Sequence, residues 1–411
     1  MVVRVGVPGG PLSTLANPPG TALPVFLDYV DASGGLGVRQ SIALPSTARA
    51  GGTPACTLSF GSSADGSAGS TAVDWGWATE GMPSNDDAQT QLFVGCHTAA
   101  AGTSVSLSAP KTIAVARLGT SGVSVNTSAL FTAYSGRRGS ATGFRGVYSP
   151  DGARFWLAGT SATLSGLRYV ALGAAASARV YGGAITLPTY QLGSLDLRAV
   201  GDNGAGALMY SSAFATEPAA SEGGFLLYSR AGLPAASQAT GTFVVVPGFG
   251  TAAQRRSFWG FTFAPRAAAL YVIVDLCRYA RLGGPEDAPD YARTSHGSAI
   301  AKFTPGAGGA WAQDPTATTL LTSVAVYALV GRTSFSGTFL LYTASRSQVI
   351  EVNPATKATR VLATAVDGTQ FRGVALPPLR PPTPSVTPSV APSSSRTPSS
   401  SKKAKRSRRA V

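Results

Sequence analysis

At 411 residues, with 44% hydrophobic and only 13% charged side chains, the chain has enough apolar material for one large core or two ordinary ones, which excludes wholesale disorder. Forty-nine glycines and 28 prolines argue against long helices, where both residues carry the largest penalties, and for many short strands joined by turns. The formal net charge of +14 suggests nucleic acid until it is placed along the chain: residues 377–411 hold eight basic residues and no acid, leaving 25 basic against 19 acidic residues before them.

Residues 1–7 alternate weakly and break at Pro8-Gly9-Gly10-Pro11, which predicts a short strand and a loop. Strands follow at 25–30 and 38–44, separated by the turn-forming run Asp31-Ala32-Ser33-Gly34-Gly35. Residues 56–60 read as an edge or connecting strand. Four-strand sets are then expected at 72–78, 91–96, 112–118 and 123–131; at 144–148, 154–158, 167–172 and near Arg179; and at 195–200, 207–211, 225–229 and 242–246. Two more follow at 258–263, 270–275, 299–303 and near Thr318, and at 324–330, 338–343, 349–353 and 359–363. Residues 371–376 begin a sixth set without successors, because the proline-rich run from Pro377 cannot continue a ladder.

The organising motif is Phe144-Arg145-Gly146-Val147-Tyr148, a strand leading into the tight turn Ser149-Pro150-Asp151-Gly152. It returns as Phe258-Trp259-Gly260-Phe261 and Phe371-Arg372-Gly373-Val374, 114 and then 113 residues further on. Such spacing suits four-stranded units, and the motif reads as the innermost strand of a β-propeller blade. Glycine there permits close backbone approach around a central channel, while the phenylalanines pack between blades. Arg145 and Arg372 are read as structural or surface residues. The expected fold is an all-β propeller of six blades over residues 1–376, or seven if 56–60 belongs to a further blade. N-terminal strands would pair with the last Phe-Arg-Gly-Val strand to close the ring.

Residues 377–411 form a Pro/Ser/Thr-rich tract expected to be a disordered stalk or linker. It ends in the basic cluster Lys402, Lys403, Lys405, Arg406, Arg408 and Arg409, a candidate site for nucleic acid or another acidic surface. Cys56, Cys96 and Cys277 show no zinc spacing; they read as buried or inert thiols, with a Cys56–Cys96 disulfide as the alternative. No run is long and apolar enough to predict a transmembrane segment, and no signal peptide is legible.

The pieces 24–31 (Pro-Val-Phe-Leu-Asp-Tyr-Val-Asp), 40–45 (Gln-Ser-Ile-Ala-Leu-Pro), 144–147, 167–172 and 370–374 together resemble a family of secreted, uncharacterised β-propeller proteins of bacteria and green algae. The resemblance spans roughly residues 2–376 and implies a propeller fold and an extracellular or cell-wall location, without any catalytic residue to carry over. The tail resembles hydroxyproline-rich modules of algal extracellular matrix. The missing signal peptide departs from the family pattern.

Few residues suggest chemistry. Asp275, Glu286, Asp287, Asp290 and His296, in or beside the long insertion at 278–297, are candidate ligands for a divalent cation or an acid/base set, although their spacing fits no known calcium loop. A second acidic loop at 80–87 carries Asn85 and Asp86 and is expected on the opposite propeller face. His97 reads as a surface or hydrogen-bonded residue, and Trp75 and Trp77 as inter-blade packing or a sugar platform. Asn126 heads a glycosylation sequon. Two histidines in all, without a nucleophile elbow or phosphate loop, leave familiar enzyme plans short of parts and name no cofactor. The expectation is a non-enzymatic extracellular propeller that recognises protein or glycan through its loops. The alternatives are a secreted hydrolase or lyase using the 278–297 insertion, and an intracellular, nuclear scaffold with a polyanion-binding tail.

Overall fold

The computed structural model describes residues 1–10, 21–32, 37–48, 53–59, 81–105, 110–119, 122–131, 143–160, 167–181, 185–187, 190–192, 195–203, 205–215, 225–236, 243–249, 258–275, 279–283, 290–293, 298–306, 310–314, 326–334 and 336–377. The reason that strand alternation is muted in this sequence is visible in Arg154–Thr160. Phe155, Trp156, Leu157 and Ala158 are all buried, because the strand is covered on both faces. Phe155 and Leu157 pack with Phe93, Ile113 and Phe144, while Trp156 and Ala158 pack with Leu197, Leu208 and Tyr210. Period two survives only as a choice between two apolar neighbours.

Among the described residues the strand ladders are antiparallel, and they form a propeller-like arrangement of sheets. Four sheets have four strands each: Gly143–Tyr148, Arg154–Thr160, Leu167–Ala171 and Ala178–Tyr181; Leu195–Asp202, Leu208–Ala215, Phe225–Ser229 and Phe243–Val245; Phe258–Phe263, Leu270–Asp275, Ser298–Pro305 and Trp311–Gln313; and Val326–Thr333, Phe339–Ser345, Gln348–Val352 and Thr359–Thr364. A nine-stranded sheet runs from Thr369–Val374 through Val2–Gly6, Ala22–Val30, Thr57–Ser59, Gln91–His97 and Lys111–Gly119 to Gly122–Phe131. Val38–Ala43 pairs with Ala22–Val30, and Ser84–Asn85 with Gln91–His97. Helical structure among the described residues is confined to the 3-10 turn Pro265–Ala267, and no helix there is long and apolar enough to cross a membrane.

Apolar clusters join successive sheets and return to the start. Phe144 and Val147 meet Phe93; Tyr148 meets Leu197; Met209 meets Phe258; Trp259 meets Tyr327; Ala328 meets Phe371; and Ala375 lies with Val3, Val25 and Val94. The expected closure is present. Val3 pairs with Gly373, Arg4 with Phe371 and Val5 with Gln370, and the Ala375 amide donates to the Met1 carbonyl at 3.0 Å.

Each long interval between the motif's three copies holds another, Leu197-Arg198-Ala199-Val200 and Val326-Tyr327-Ala328-Leu329. Alanine replaces glycine in both, and a smaller aliphatic replaces phenylalanine, which hides them from the sequence. The glycines do allow close approach. A Cβ on Gly373 would lie 2.4 Å from Pro83 Cδ, and one on Gly146 would lie 3.0 Å from the Arg198 carbonyl oxygen. The second motif position is buried throughout: Arg145, Arg198, Trp259, Tyr327 and Arg372 lie between sheets and not on the surface. Arg372 Nη2 donates to the Ser59 carbonyl at 2.8 Å, and the Arg198 guanidinium sits 5.1 Å from the Trp259 ring centre.

Several expectations change. The strand expected at 72–78 lies outside the described residues, and Met82–Asn85 occupies the inner position, with Met82 bridged in parallel to Gly146. The fourth strand expected near Thr318 is Trp311–Gln313, earlier in the chain, because the Trp311 amide is captured by the Pro247 carbonyl at 2.8 Å. Residues 57–59 connect Ala22–Pro24 to His97 and so lie within the nine-stranded sheet. Cys56 and Cys96 form a disulfide with 4.9 Å between their Cα atoms; this is the alternative to inert thiols, while Cys277 lies outside the described residues.

Candidate functional site at the channel mouth

The inner strands run side by side through the ring and end at one face with Tyr148, Asp202, Phe263, Thr333 and Leu376. Together with residues 82–89 they enclose a funnel of about 440 Å³, lined by segments from every sheet around the channel. Small residues, Gly146, Ala199, Gly260 and Ala328, line its wall, so much of the space is left by the same positions that let the inner strands approach one another.

The polar rim is built by two turns. Asp86 is buried and accepts hydrogen bonds from the Thr90 amide at 2.7 Å, the Thr90 hydroxyl at 2.5 Å and the Gln91 amide at 2.8 Å. Those bonds fix the loop and leave the next carboxylate, Asp87, pointing to the mouth, where it accepts from the Tyr148 hydroxyl at 3.0 Å. Asn85 holds the chain on the other side: its Nδ2 donates to the Leu376 carbonyl at 2.9 Å, and its Oδ1 accepts from the Leu376 amide at 3.1 Å. In the neighbouring turn Asp151 accepts from the amides of Ala153 and Arg154 at 2.9 and 3.0 Å and from Arg154 Nε at 2.7 Å.

The electrostatics follow from this placement. Burial raises the Asp87 carboxyl above its ordinary range, and Asp202, Asp86 and Asp151 add to the effect against the opposing Tyr148 hydrogen bond. Burial, followed by the charges of Asp202 and Asp87, likewise pushes the Tyr148 phenol up, so it stays a hydrogen-bond donor. Burial works against the Asp151 carboxylate, but the two amides and Arg154 outweigh it and hold that group below its usual range. Because the folded state binds a proton on Asp87 more tightly than the unfolded chain does, the cost of keeping that group charged, from burial first and the neighbouring carboxylates second, weighs on stability above the folded pKa and is relieved as pH falls through it. Asp202→Asn is therefore expected to lower the Asp87 pKa and to flatten that part of the stability profile. Carboxyl-carbon NMR titration checks this, and an unchanged Asp87 midpoint contradicts it.

Of the residues named from the sequence, Asn85 and Asp86 reach this rim, Asn85 as a clamp and Asp86 as a loop anchor. Asp275 and Asp290 lie on the backbone strands Leu270–Asp275 and Asp290–Arg293, the second within a hairpin with Tyr279–Gly283, so part of the expected insertion loop is strand. Leu270–Asp275 runs away from the mouth, which places that hairpin's departure at the opposite end of the channel. Glu286, Asp287, His296, Trp75, Trp77 and the basic cluster Lys402 to Arg409 lie outside the described residues. Asn126 lies in the outer strand Gly122–Phe131, opposite Val115. His97 is buried at 2% exposure, with Thr57 Oγ1 donating to its carbonyl at 3.3 Å. Sequence reasoning missed Asp87, Tyr148 and Asp202 as a group. Nothing in their local patterns joins them until the inner strands are aligned.

Comparisons with solved structures find several chains of similar general architecture. A chain of a nidogen/laminin complex shares 10% identity over 92% of this chain and 99% of its own length, with a TM-score of 0.45. A β-propeller domain from Myceliophteria thermophila shares 9% identity over 73% of this chain and 91% of its own, with a TM-score of 0.37. A xyloglucanase from Xanthomonas campestris shares 11% identity over 82% of this chain and 43% of its own, with a TM-score of 0.40. At these values no residue or activity is carried across. No protein-family model and no curated protein matches the sequence.

Proposed function

We propose that the chain is a non-enzymatic, extracellular binding propeller of six blades, with residues 1–376 as the propeller domain and 377–411 as a tether. The six-blade reading divides the nine-stranded sheet in two: Thr369–Val374 with the three N-terminal strands, and Ser84–Asn85 with the three strands that follow it. Thr57–Ser59 then bridges these two blades and founds no seventh.

The observation that carries the binding role is the funnel of about 440 Å³, whose rim combines Asp87, Asp202 and the Tyr148 hydroxyl with the half-buried rings of Phe261 and Phe263. A few convergent polar groups over an apolar wall suit a ligand that offers hydroxyl or cationic groups on an apolar face, as glycans and protein loops do. The Cys56–Cys96 disulfide supports an oxidising compartment.

Affinity measurements against a panel of extracellular glycans and matrix proteins, with the intact protein and its Asp202→Asn and Phe261→Ala variants, test this reading. Loss of a charged hydrogen-bonding partner should weaken a ligand held in the funnel about tenfold or more. A ligand whose affinity both variants leave unchanged places recognition elsewhere.

A further inference from the structure

The chain leaves the body at the funnel. Leu376 lines the funnel and an adjoining cavity of about 350 Å³, which also carries Arg332 and Phe339, and Asn85 pins Leu376 through both backbone groups. Asn85 lies two residues before Asp87 in the sequence, so the clamp starts the following segment beside the acidic rim. That segment carries Arg380, Arg396, Lys402, Lys403, Lys405, Arg406, Arg408 and Arg409 and no acidic residue. The funnel is lined by Asp86, Asp87 and Asp202, together with the apolar side chains of Met82, Val147, Val200 and Phe261.

We propose that the basic cluster at residues 402–409 docks in cis on the mouth of its own channel, placing lysine or arginine side chains against Asp87 and Asp202 and occupying the funnel until a stronger ligand displaces it. The mouth and the cluster have opposite charge, and the connection has suitable length. The 25 residues from 377 to 401 span at most roughly 80 Å as extended polyproline II, or about 28 Å root-mean-square as a flexible chain, which covers the distance back to the rim. Tethering at that range supplies a millimolar-scale local concentration, so weak contacts suffice. A cation arriving beside Asp87 and Asp202 also offsets the repulsion that Asp202 adds to the burial of the Asp87 carboxyl. The arginine- and lysine-rich end then has two competing fates, its own channel or an external polyanion.

This inference uses the same mouth as the binding role above but requires no external ligand, so the two fail separately. The test is zero-length carbodiimide crosslinking of the dilute full-length protein, with linked peptides mapped by mass spectrometry. The expected result is intramolecular links from Lys402, Lys403 or Lys405 to Asp87 or Asp202, lost at 0.5 M salt, where exposed charge pairs are screened. In the folded Asp87→Asn/Asp202→Asn variant, verified by circular dichroism, those lysines should form no preferred link. The proposal is overturned if the wild-type lysines form no links, if they link equally to Asp367, which precedes the last inner strand, or if links to Asp87 and Asp202 occur only between two copies.

Discussion

Replacing Asp28 with asparagine is expected to cost about 3–5 kcal/mol of unfolding free energy, the range for breaking a buried ion pair by removing one partner. Asp28 is fully buried in Ala22–Val30, and Arg4, from Val2–Gly6, meets it with both ends of its guanidinium, Nε at 2.5 Å and Nη2 at 3.2 Å. Arg4 also donates to the Gly6 carbonyl at 3.3 Å and to Ser41 Oγ at 3.1 Å, and it sits 4.3 Å from the Phe26 ring centre; the Ser41 hydroxyl donates back to Asp28. One charged pair thus ties together the three N-terminal strands that complete the ring with Thr369–Val374. The asparagine variant leaves the guanidinium buried without its counter-charge. The double variant Arg4→Met/Asp28→Leu removes both charges and is expected to lose less than either single variant, since the desolvation cost disappears with them. Urea unfolding of the wild type, Arg4→Met, Asp28→Leu and Arg4→Met/Asp28→Leu proteins measures the cycle; additive losses would mean that the two groups act independently.

Cleaving the Cys56–Cys96 bond is expected to have an effect of similar size. The bond spans 40 residues, and closing a loop of that length restricts the unfolded chain by about 4 kcal/mol. Both sulfurs are buried, and Thr57 pairs with His97 directly beside them. The bond therefore anchors the short strand Thr57–Ser59, whose three residues would hold a bridging position weakly by hydrogen bonds alone. Cys56→Ala/Cys96→Ala should melt well below the parent protein without reductant, and the two should converge once the parent is reduced. Thiol titration in denaturant should find one reactive sulfur per chain before reduction and three afterwards. Three from the outset would remove the disulfide and with it the argument for an oxidising compartment.

The sequence made ring closure legible because a single strand with no successors, residues 371–376, matched N-terminal strands with no inner partner. It disclosed three of the five copies of the inner motif. The other two stayed hidden because alanine stands in the glycine position of both, and because valine or leucine fills the place of phenylalanine between sheets. The rim was harder to read for a different reason. Asp87, Tyr148 and Asp202 are each ordinary residues at strand ends; their shared position depends on the alignment of three inner strands, one of which, at Met82–Asn85, carries no copy of the motif. Asp86 drew attention as part of an acidic run, yet its carboxylate is consumed by its own loop and only its neighbour faces the funnel.

The pairing of Val2–Gly6 with Thr369–Val374 also sets an order in time. At a synthesis rate of about 5–20 residues per second, roughly 20–70 seconds separate the emergence of the first strand from that of its inner partner. During that interval Ala22–Val30 already has Val2–Gly6 and Val38–Ala43 to pair with, and later Thr57–Ser59 and the strand Gln91–His97 beyond it. The bridge that fuses two neighbouring sheets therefore gives the earliest part of the chain a partner long before the latest part exists, and the newborn N-terminal strands wait for Phe371 already anchored to a neighbour.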